Sequence, residues 1–467
     1  MSVFKRGLFR IVAILIVSFL VTVGLISCND DTQPKPKKAI IMVTPLVGGG
    51  LYNSETGENL WDPFSVELNL NDAAELMSTI FSNLADFTSI LAPLLQNTPE
   101  QSVFGALAMD QYGNSINPNI KPSNDLDPAE HHIYYGALGM FKNLIVEINS
   151  IYGNDYEVKM FNYDWRLDNA HNSQLLEEYI NSNSYEEVIL LSHSMGGLVV
   201  SGYLSRNDVN YKKVRAYLPL SAPFLGSFDS LKYLSDIEAF ASNLLSSIPL
   251  YTYSDKVLTS PLKIKMPIDK TLDFLQTFIR NCPSIIQLLP SYDMLLTEQY
   301  DIEDDEVAFT VLGKDVHSSE ELYDFYSTQE WSYLRDDEGN ILKGDNNENL
   351  LKPAIANLKK FHDSMFVTNA NGERVHATTL VNTYYIIGQG YTTSTIFFQK
   401  SDGTYTFKTS ELGDGTVPLY SQIAGINTGL LSEQGRLYIL KGTHGNTGTW
   451  EHIRERVLPL LQKVIYG

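Results

Sequence analysis

Ser192-His193-Ser194-Met195-Gly196-Gly197 decides the reading of this chain because of what stands on either side of it. Before it, Glu187-Val188-Ile189-Leu190-Leu191 is a short apolar, β-branched run of the kind that forms a parallel strand buried on both faces. After it, Leu198-Val199-Val200-Ser201-Gly202-Tyr203-Leu204 can continue as a helix. A serine at a sharp strand–turn–helix junction is a nucleophile elbow, whose strained turn lifts the hydroxyl above the sheet. Small residues are needed where strand and helix nearly touch, and Gly196 supplies one. The usual first glycine is here Ser192, so the pattern reads S-x-S-x-G with a Cβ at its first position.

A serine hydroxyl is a weak nucleophile at neutral pH. It needs a histidine to take its proton and an acid to orient that histidine. Elbows of this kind belong to the α/β-hydrolase fold, a mostly parallel sheet flanked by helices, in which the chain order is serine, acid, histidine. Of the nine histidines, that order excludes those before Ser194, including adjacent His193, whose side chain should point away from the nucleophile. His444 follows Arg436-Leu437-Tyr438-Ile439-Leu440, a good final strand, in the loop Lys441-Gly442-Thr443-His444-Gly445-Asn446. A catalytic base belongs there, at the C-terminal edge of the sheet. His452 falls in the expected terminal helix Thr449 to Ile465, a surface or packing position.

The acid needs the same edge one strand earlier, and Thr383-Tyr384-Tyr385-Ile386-Ile387-Gly388 reads as that strand. Phe397 to Thr406 reads as an antiparallel excursion, after which Gly413-Asp414-Gly415-Thr416-Val417-Pro418 presents Asp414 between two glycines. An ordinary D-G hairpin turn would look the same locally; its order and spacing relative to His444 select Asp414 as the acid. An oxyanion hole needs two backbone N–H groups, one after the nucleophile and one after an early strand. Met195 supplies the first. Ala39-Ile40-Ile41-Met42-Val43-Thr44 is the early strand, and Pro45-Leu46-Val47-Gly48-Gly49-Gly50 follows it. The second donor is Leu46 or Val47, and Val47 is the choice. A phosphate-loop reading of the glycines fails because no Gly-Lys-Ser/Thr follows. Neither metal nor cofactor is required.

The N-terminus reads as an export signal. Lys5, Arg6 and Arg10 precede the apolar run Ile11 to Ile26, and Leu25-Ile26-Ser27-Cys28 resembles a lipobox in which Cys28 is acylated and becomes the mature terminus. An uncleaved membrane anchor is the other reading of that run. Residues 1–27 are then signal, 28–38 a lipidated tether and 39–467 the folded domain, with cap insertions near 72–130 and 228–300. The location this implies is extracytoplasmic, on a bacterial membrane through Cys28, periplasmic or at the cell surface. The second cysteine, Cys282, reads as a buried small hydrophobe, so the domain is held by its core without disulfides. The formal charge of −21 becomes more negative once the signal leaves. It argues against nucleic acid and against electrostatic adsorption to anionic lipid.

Several stretches outside the elbow resemble the lecithin:cholesterol acyltransferase family, which includes phospholipid:diacylglycerol acyltransferases, lysosomal phospholipase A and bacterial esterases. They are Pro45 to Gly50, Glu55-Thr56-Gly57-Glu58-Asn59-Leu60-Trp61, Tyr163-Asp164-Trp165-Arg166, Ser221-Ala222-Pro223-Phe224-Leu225-Gly226-Ser227, Pro283 to Pro290, and Gly413 to Pro418. Y-D-W-R together with G-D-G-T-V-P is far more specific than either alone. The resemblance implies an α/β-hydrolase fold, an acyl-serine intermediate, lipidic ester substrates, and catalytic roles for Ser194, Asp414 and His444. The chain departs from the family's pattern at Ser192, at Leu46, which stands where a glycine commonly follows the proline, and in lacking the disulfides of the secreted animal members.

Asp164, Trp165 and Arg166 either shape a substrate pocket or form an ion pair that holds the loop with the indole packed inward. Asp72 to Asn97 and Leu231 to Leu289 carry Leu, Ile and Phe at helical spacing, as an acyl pocket or as core. Asp336-Asp337-Glu338-Gly339-Asn340 reads as a turn, its glycine and glutamate misplaced for a calcium loop. The function expected is a serine esterase or lipase. An O-acyltransferase using the same acyl-enzyme is the alternative, and a catalytically silent binding lipoprotein on a hydrolase scaffold is the rival of a different class. The partners expected are an ester or lipid substrate and, through Cys28, a membrane.

Overall fold

Six apolar runs line up side by side as one parallel sheet in the computed structural model of the protein, which describes residues 36–61, 66–68, 103–123, 133–235, 268–296, 308–446 and 453–467. The strands are β1 (Lys38–Val43), β2 (Glu157–Phe161), β3 (Glu187–His193), β4 (Val214–Leu220), β5 (Tyr385–Gln389) and β6 (Leu437–Lys441). Their spatial order is β6-β5-β4-β3-β1-β2, with every neighbouring pair parallel. Cys28, His452, residues 69–102 and residues 236–267 lie outside the described residues, and with them the expected signal, the tether's lipidated end and much of both expected cap insertions.

Alternation explains why these strands read as unbroken apolar runs. In β1, Ala39, Ile41 and Val43 join one buried cluster while Ile40 and Met42 join another; in β3, Val188 and Leu190 divide from Ile189 and Leu191 in the same way. Successive side chains of a strand point to opposite faces, and both faces here are covered. Among the helices are α1 (Gly136–Tyr152), α2 (Asn169–Ser182), α3 (Gly196–Arg206), α4 (Ile268–Asn281) and α5 (Leu458–Tyr466). Leu144, Ile145 and Ile148 of α1 and Leu460 and Leu461 of α5 pack in one cluster. Leu176 and Ile180 of α2 and Leu198, Val199, Tyr203 and Leu204 of α3 pack in the other. This is the α/β-hydrolase fold, with Ser194 between the central strand β3 and α3. Residues Gly196 to Leu204 of α3 are all buried, as a helix apolar all round must be.

Between β4 and β6 the chain makes excursions. Helices at Phe228–Ser235, Ile268–Asn281, Pro283–Ile286 and Tyr292–Leu296 occupy the described parts of the second expected insertion. A second sheet then joins Lys314–Asp315, Phe309–Val311, Thr393–Gln399 and Tyr405–Ser410. Its last two strands form the antiparallel excursion expected around Phe397 to Thr406, here fixed at Thr393 to Ser410. Phe309 holds this sheet to the rest, its ring 4.6 Å from Phe397, 5.3 Å from Phe325 and 6.2 Å from Phe228. Among the described residues the expected terminal helix is a π-turn at Ile453–Val457 that leads into α5. Residues 38–467 form one compact unit. Among the described residues no helix is long and apolar enough to cross a membrane.

Candidate active site

Ser194 has a left-handed backbone, φ +50°, and its N–H donates to the Leu220 carbonyl at the end of β4 (3.0 Å). A non-glycine residue holds such a conformation only where its surroundings enforce it. Here the enforcement is close packing. A Cβ at Gly196 would lie 2.7 Å from the carbonyl oxygens of both Val43 and Thr44, and one at Gly197 would lie 2.3 Å from the Ala222 Cβ. Ser192, by contrast, tolerates its side chain, because its Oγ lies 2.6 Å from the buried Tyr217 hydroxyl on β4. The departure from the usual elbow glycine is therefore accommodated by a hydrogen bond.

His444 and Asp414 meet Ser194 from the far side of the sheet. β6 is an edge strand, three positions from β3, so at about 4.8 Å per strand its loop must reach back roughly 14 Å. The reach succeeds: His444 Nε2 lies 2.8 Å from Ser194 Oγ, and His444 Nδ1 lies 2.8 Å from Asp414 Oδ2. The tautomer these neighbours fit has Nδ1–H donating to the carboxylate and Nε2 accepting from the serine O–H. Asp414 is fully buried, and its other oxygen accepts from the N–H groups of Thr416 (3.0 Å) and Val417 (2.7 Å). Its carbonyl also takes the His444 N–H (2.7 Å). The D-G turn thus also holds a buried carboxylate against His444. Gly415 adopts φ +91° and donates to Thr393 Oγ1 (2.8 Å), while a Cβ at Gly413 would strike the same threonine.

The loop after β1 runs beside the elbow, since Val43 is in register with Ser192. The Gly48 N–H donates to the Pro45 carbonyl (3.1 Å), so a donor to a ligand from this turn is Leu46 or Val47. Val47 is itself left-handed at φ +54°, and its carbonyl accepts from the indole N–H of Trp61 (2.9 Å). Met195 opens α3, where backbone N–H groups have no helical acceptor. Ser194 and Ser221 (φ +48°) directly follow β3 and β4, and Val47 lies in the loop four residues beyond the end of β1; all three are left-handed. Their clustering at one sheet edge is what a functional site looks like in backbone terms.

Residues 132–451, more than half of the chain, match the family described as lecithin:cholesterol acyltransferase. The chain belongs to that family. A stretch of 79 residues is 34% identical to lecithin-cholesterol acyltransferase-like 1 of Arabidopsis thaliana, covering 16% of this chain and 17% of that protein. In shape, 92% of this chain aligns with 99% of a chain in the crystal structure of the Tle4–Tli4 complex, at 11% identity and a TM-score of 0.47.

The Y-D-W-R motif follows β2, and every polar contact of its pair is structural. Arg166 donates from Nε and Nη2 to the two oxygens of Asp164 (2.9 and 2.6 Å), from Nη1 to the Leu107 carbonyl (2.6 Å) and from Nη2 to Ser115 Oγ (3.2 Å). Both charged side chains are buried. Trp165 packs 5.3 Å from Trp61 and 6.2 Å from Phe278. The motif therefore staples the chain around 107–115 to the end of β2 and backs the indole that holds Val47. The Asp336 segment is a tight turn, Asp336 Oδ1 accepting from the Glu338 and Asn340 N–H groups. Cys282 is fully buried, and that burial pushes its thiol pKa up.

Chain order excludes His193 as the base, with its side chain expected to point away from Ser194; the structure sets its ring beside His444. His193 is buried, its ring 5.1 Å from the His444 ring, with Nε2 2.9 Å from the His444 carbonyl oxygen. The available signal was a histidine at the end of a strand buried on both faces, a position that demands a hydrogen-bond partner.

Proposed function

We propose that this family member is a serine esterase or lipase working through an acyl-Ser194 intermediate. The observation that carries the reading is the continuous hydrogen-bonded line from Ser194 Oγ through the His444 imidazole to the buried Asp414 carboxylate. His444 Nε2 takes the hydroxyl proton as Ser194 Oγ bonds to the ester carbonyl carbon. The oxyanion so formed lies toward the Met195 and Val47 N–H groups. Asp414 stabilises the imidazolium and keeps its ring oriented. The imidazolium then gives its proton to the departing alkoxide, leaving the acyl-serine. Water enters, loses a proton to His444 and attacks the acyl carbon; collapse returns the proton to Ser194 and releases the carboxylic acid.

An alcohol in place of that water gives an ester instead of an acid, and the family's name favours this second outcome. Purified mature protein incubated with phospholipid or triacylglycerol, with and without a long-chain alcohol, separates the two. Free fatty acid marks hydrolysis and a new ester marks transfer. Both should vanish in Ser194→Ala; product formation unchanged in that variant removes the reading. Placement at a membrane through acylated Cys28 belongs to the same proposal, because a tether raises the substrate concentration at the site without any new contact. Cys28→Ser should leave the precursor unlipidated, whereas lipid labelling that persists in this variant would remove the anchor.

A further inference from the structure

We infer that His193 is a positioning residue for the general base: its ring N–H holds the His444 carbonyl, and with it the loop after β6, against the strand that carries the nucleophile. This rests on the reading of Ser194 and His444 given above. His444 arrives from an edge strand three positions away, and its imidazole must still fall within hydrogen-bond reach of one hydroxyl. A loop reaching that far needs a fixed point beyond its own strand. Two bonds on its backbone supply fixed points. The His444 N–H donates to the Asp414 carbonyl (2.7 Å), and the His444 carbonyl accepts from His193 Nε2 (2.9 Å).

The second bond differs from the first in where it is anchored. Asp414 lies on a loop, whereas His193 ends β3, paired to Leu220 of β4 and followed at once by Ser194. One strand thus fixes both the nucleophile and the backbone of its base, so their separation does not depend on the longer path through β4, β5 and β6. The ring chemistry fits the task. A carbonyl can only accept, so His193 carries its proton on Nε2. Burial, helped by the neighbouring His444, pushes the His193 pKa down to about 3. The clamp is therefore a neutral donor, which adds no cation beside a base that must itself become one.

Three substitutions separate a clamp from packing. The glutamine amide nitrogen reaches about as far as Nε2, the asparagine amide only as far as Nδ1, and leucine fills space without donating. His193→Leu and His193→Asn should lower kcat on a short-chain ester by about 10- to 100-fold at nearly unchanged KM, the scale expected of a small misplacement of catalytic groups. His193→Gln should recover most of it. A readout that needs no substrate accompanies the kinetics: the far-downfield proton resonance of the His444 Nδ1–H should be lost or broadened in Leu and kept in Gln. A Leu variant within twofold of wild-type kcat, or Gln and Leu equally impaired, overturns the clamp, as does an unchanged resonance in Leu. If His193→Leu does not fold, the Gln and Asn pair decides by the same criteria. Wild type that resists fluorophosphonate labelling removes the hydrolase reading instead, and the resonance still decides the clamp.

Discussion

Asp414→Asn isolates what the carboxylate does for chemistry from what it does for the fold. Oδ1 of Asp414 is held by the N–H groups of Thr416 and Val417, at 3.0 and 2.7 Å, so an asparagine must place its carbonyl oxygen there. Its NH₂ is then forced into the position of Oδ2, facing His444 Nδ1 at about the present 2.8 Å. Nδ1 must accept, the ring proton moves to Nε2, and Nε2 can no longer take the Ser194 proton. Wrong-tautomer loss in a serine triad is about 10⁴-fold in kcat, or about 5 kcal/mol of barrier. Stability should change little, because both backbone bonds survive. Asp414→Ala is the contrast: it leaves the two N–H groups without their acceptor, at about 1–3 kcal/mol for a buried one. The assay is kcat on a soluble short-chain ester beside urea unfolding of both variants. A folded Asp414→Asn protein within tenfold of wild-type kcat would refute the reasoning and move the acid role elsewhere, with Glu411 nearest in the chain.

Trp61→Phe removes the indole donor to the Val47 carbonyl and should cost about 1–3 kcal/mol of stability together with a roughly tenfold loss of kcat, measured by unfolding and ester turnover; unchanged kcat would dissociate this loop from oxyanion binding. Asp164→Leu leaves Arg166 buried without its counter-charge and should destabilise by about 3–5 kcal/mol in urea unfolding, and a loss under 1 kcal/mol would mean the pair is not the staple described. Stability should also fall with acid. Burial lowers the pKa of His193 and His376 to about 3 and of His362 to about 4, so the unfolded chain binds more protons than the folded one below about pH 6.5. Their stabilisation is complete above pH 6.5 and is lost toward pH 4 at up to about 1.4 kcal/mol per pH unit for each histidine. His376→Gln should flatten the measured slope by about one proton; an unchanged slope would contradict the buried neutral assignment.

The central strands were legible because burial on both faces writes them as apolar runs, and the elbow because tight contacts at Gly196 and Gly197 demand small residues. Strand ends were off by a residue or two, as at β5, expected from Thr383 and observed from Tyr385. The second sheet was legible only in its hairpin, since Phe309–Val311 and Lys314–Asp315 are too short to carry a period. At the site, chain order brought forward Ser194, Asp414 and His444, which the fold gathers within hydrogen-bond distance. Order could not reveal what supports them. The Ser192–Tyr217 bond, the Trp61 hold on Val47 and the His193 contact all join positions far apart in sequence. The first and the last depend on which strands are neighbours, and only the assembled sheet decides that.

The most direct test is covalent labelling of the purified protein with a fluorophosphonate, followed by peptide mass spectrometry. Such a reagent reacts with a serine whose hydroxyl is activated by a base and whose adduct is received by an oxyanion hole. The account requires one modification, on Ser194, with esterase activity lost in proportion, and no labelling of Ser194→Ala. Active protein that resists the reagent, or a label on another residue that persists in Ser194→Ala, would contradict it.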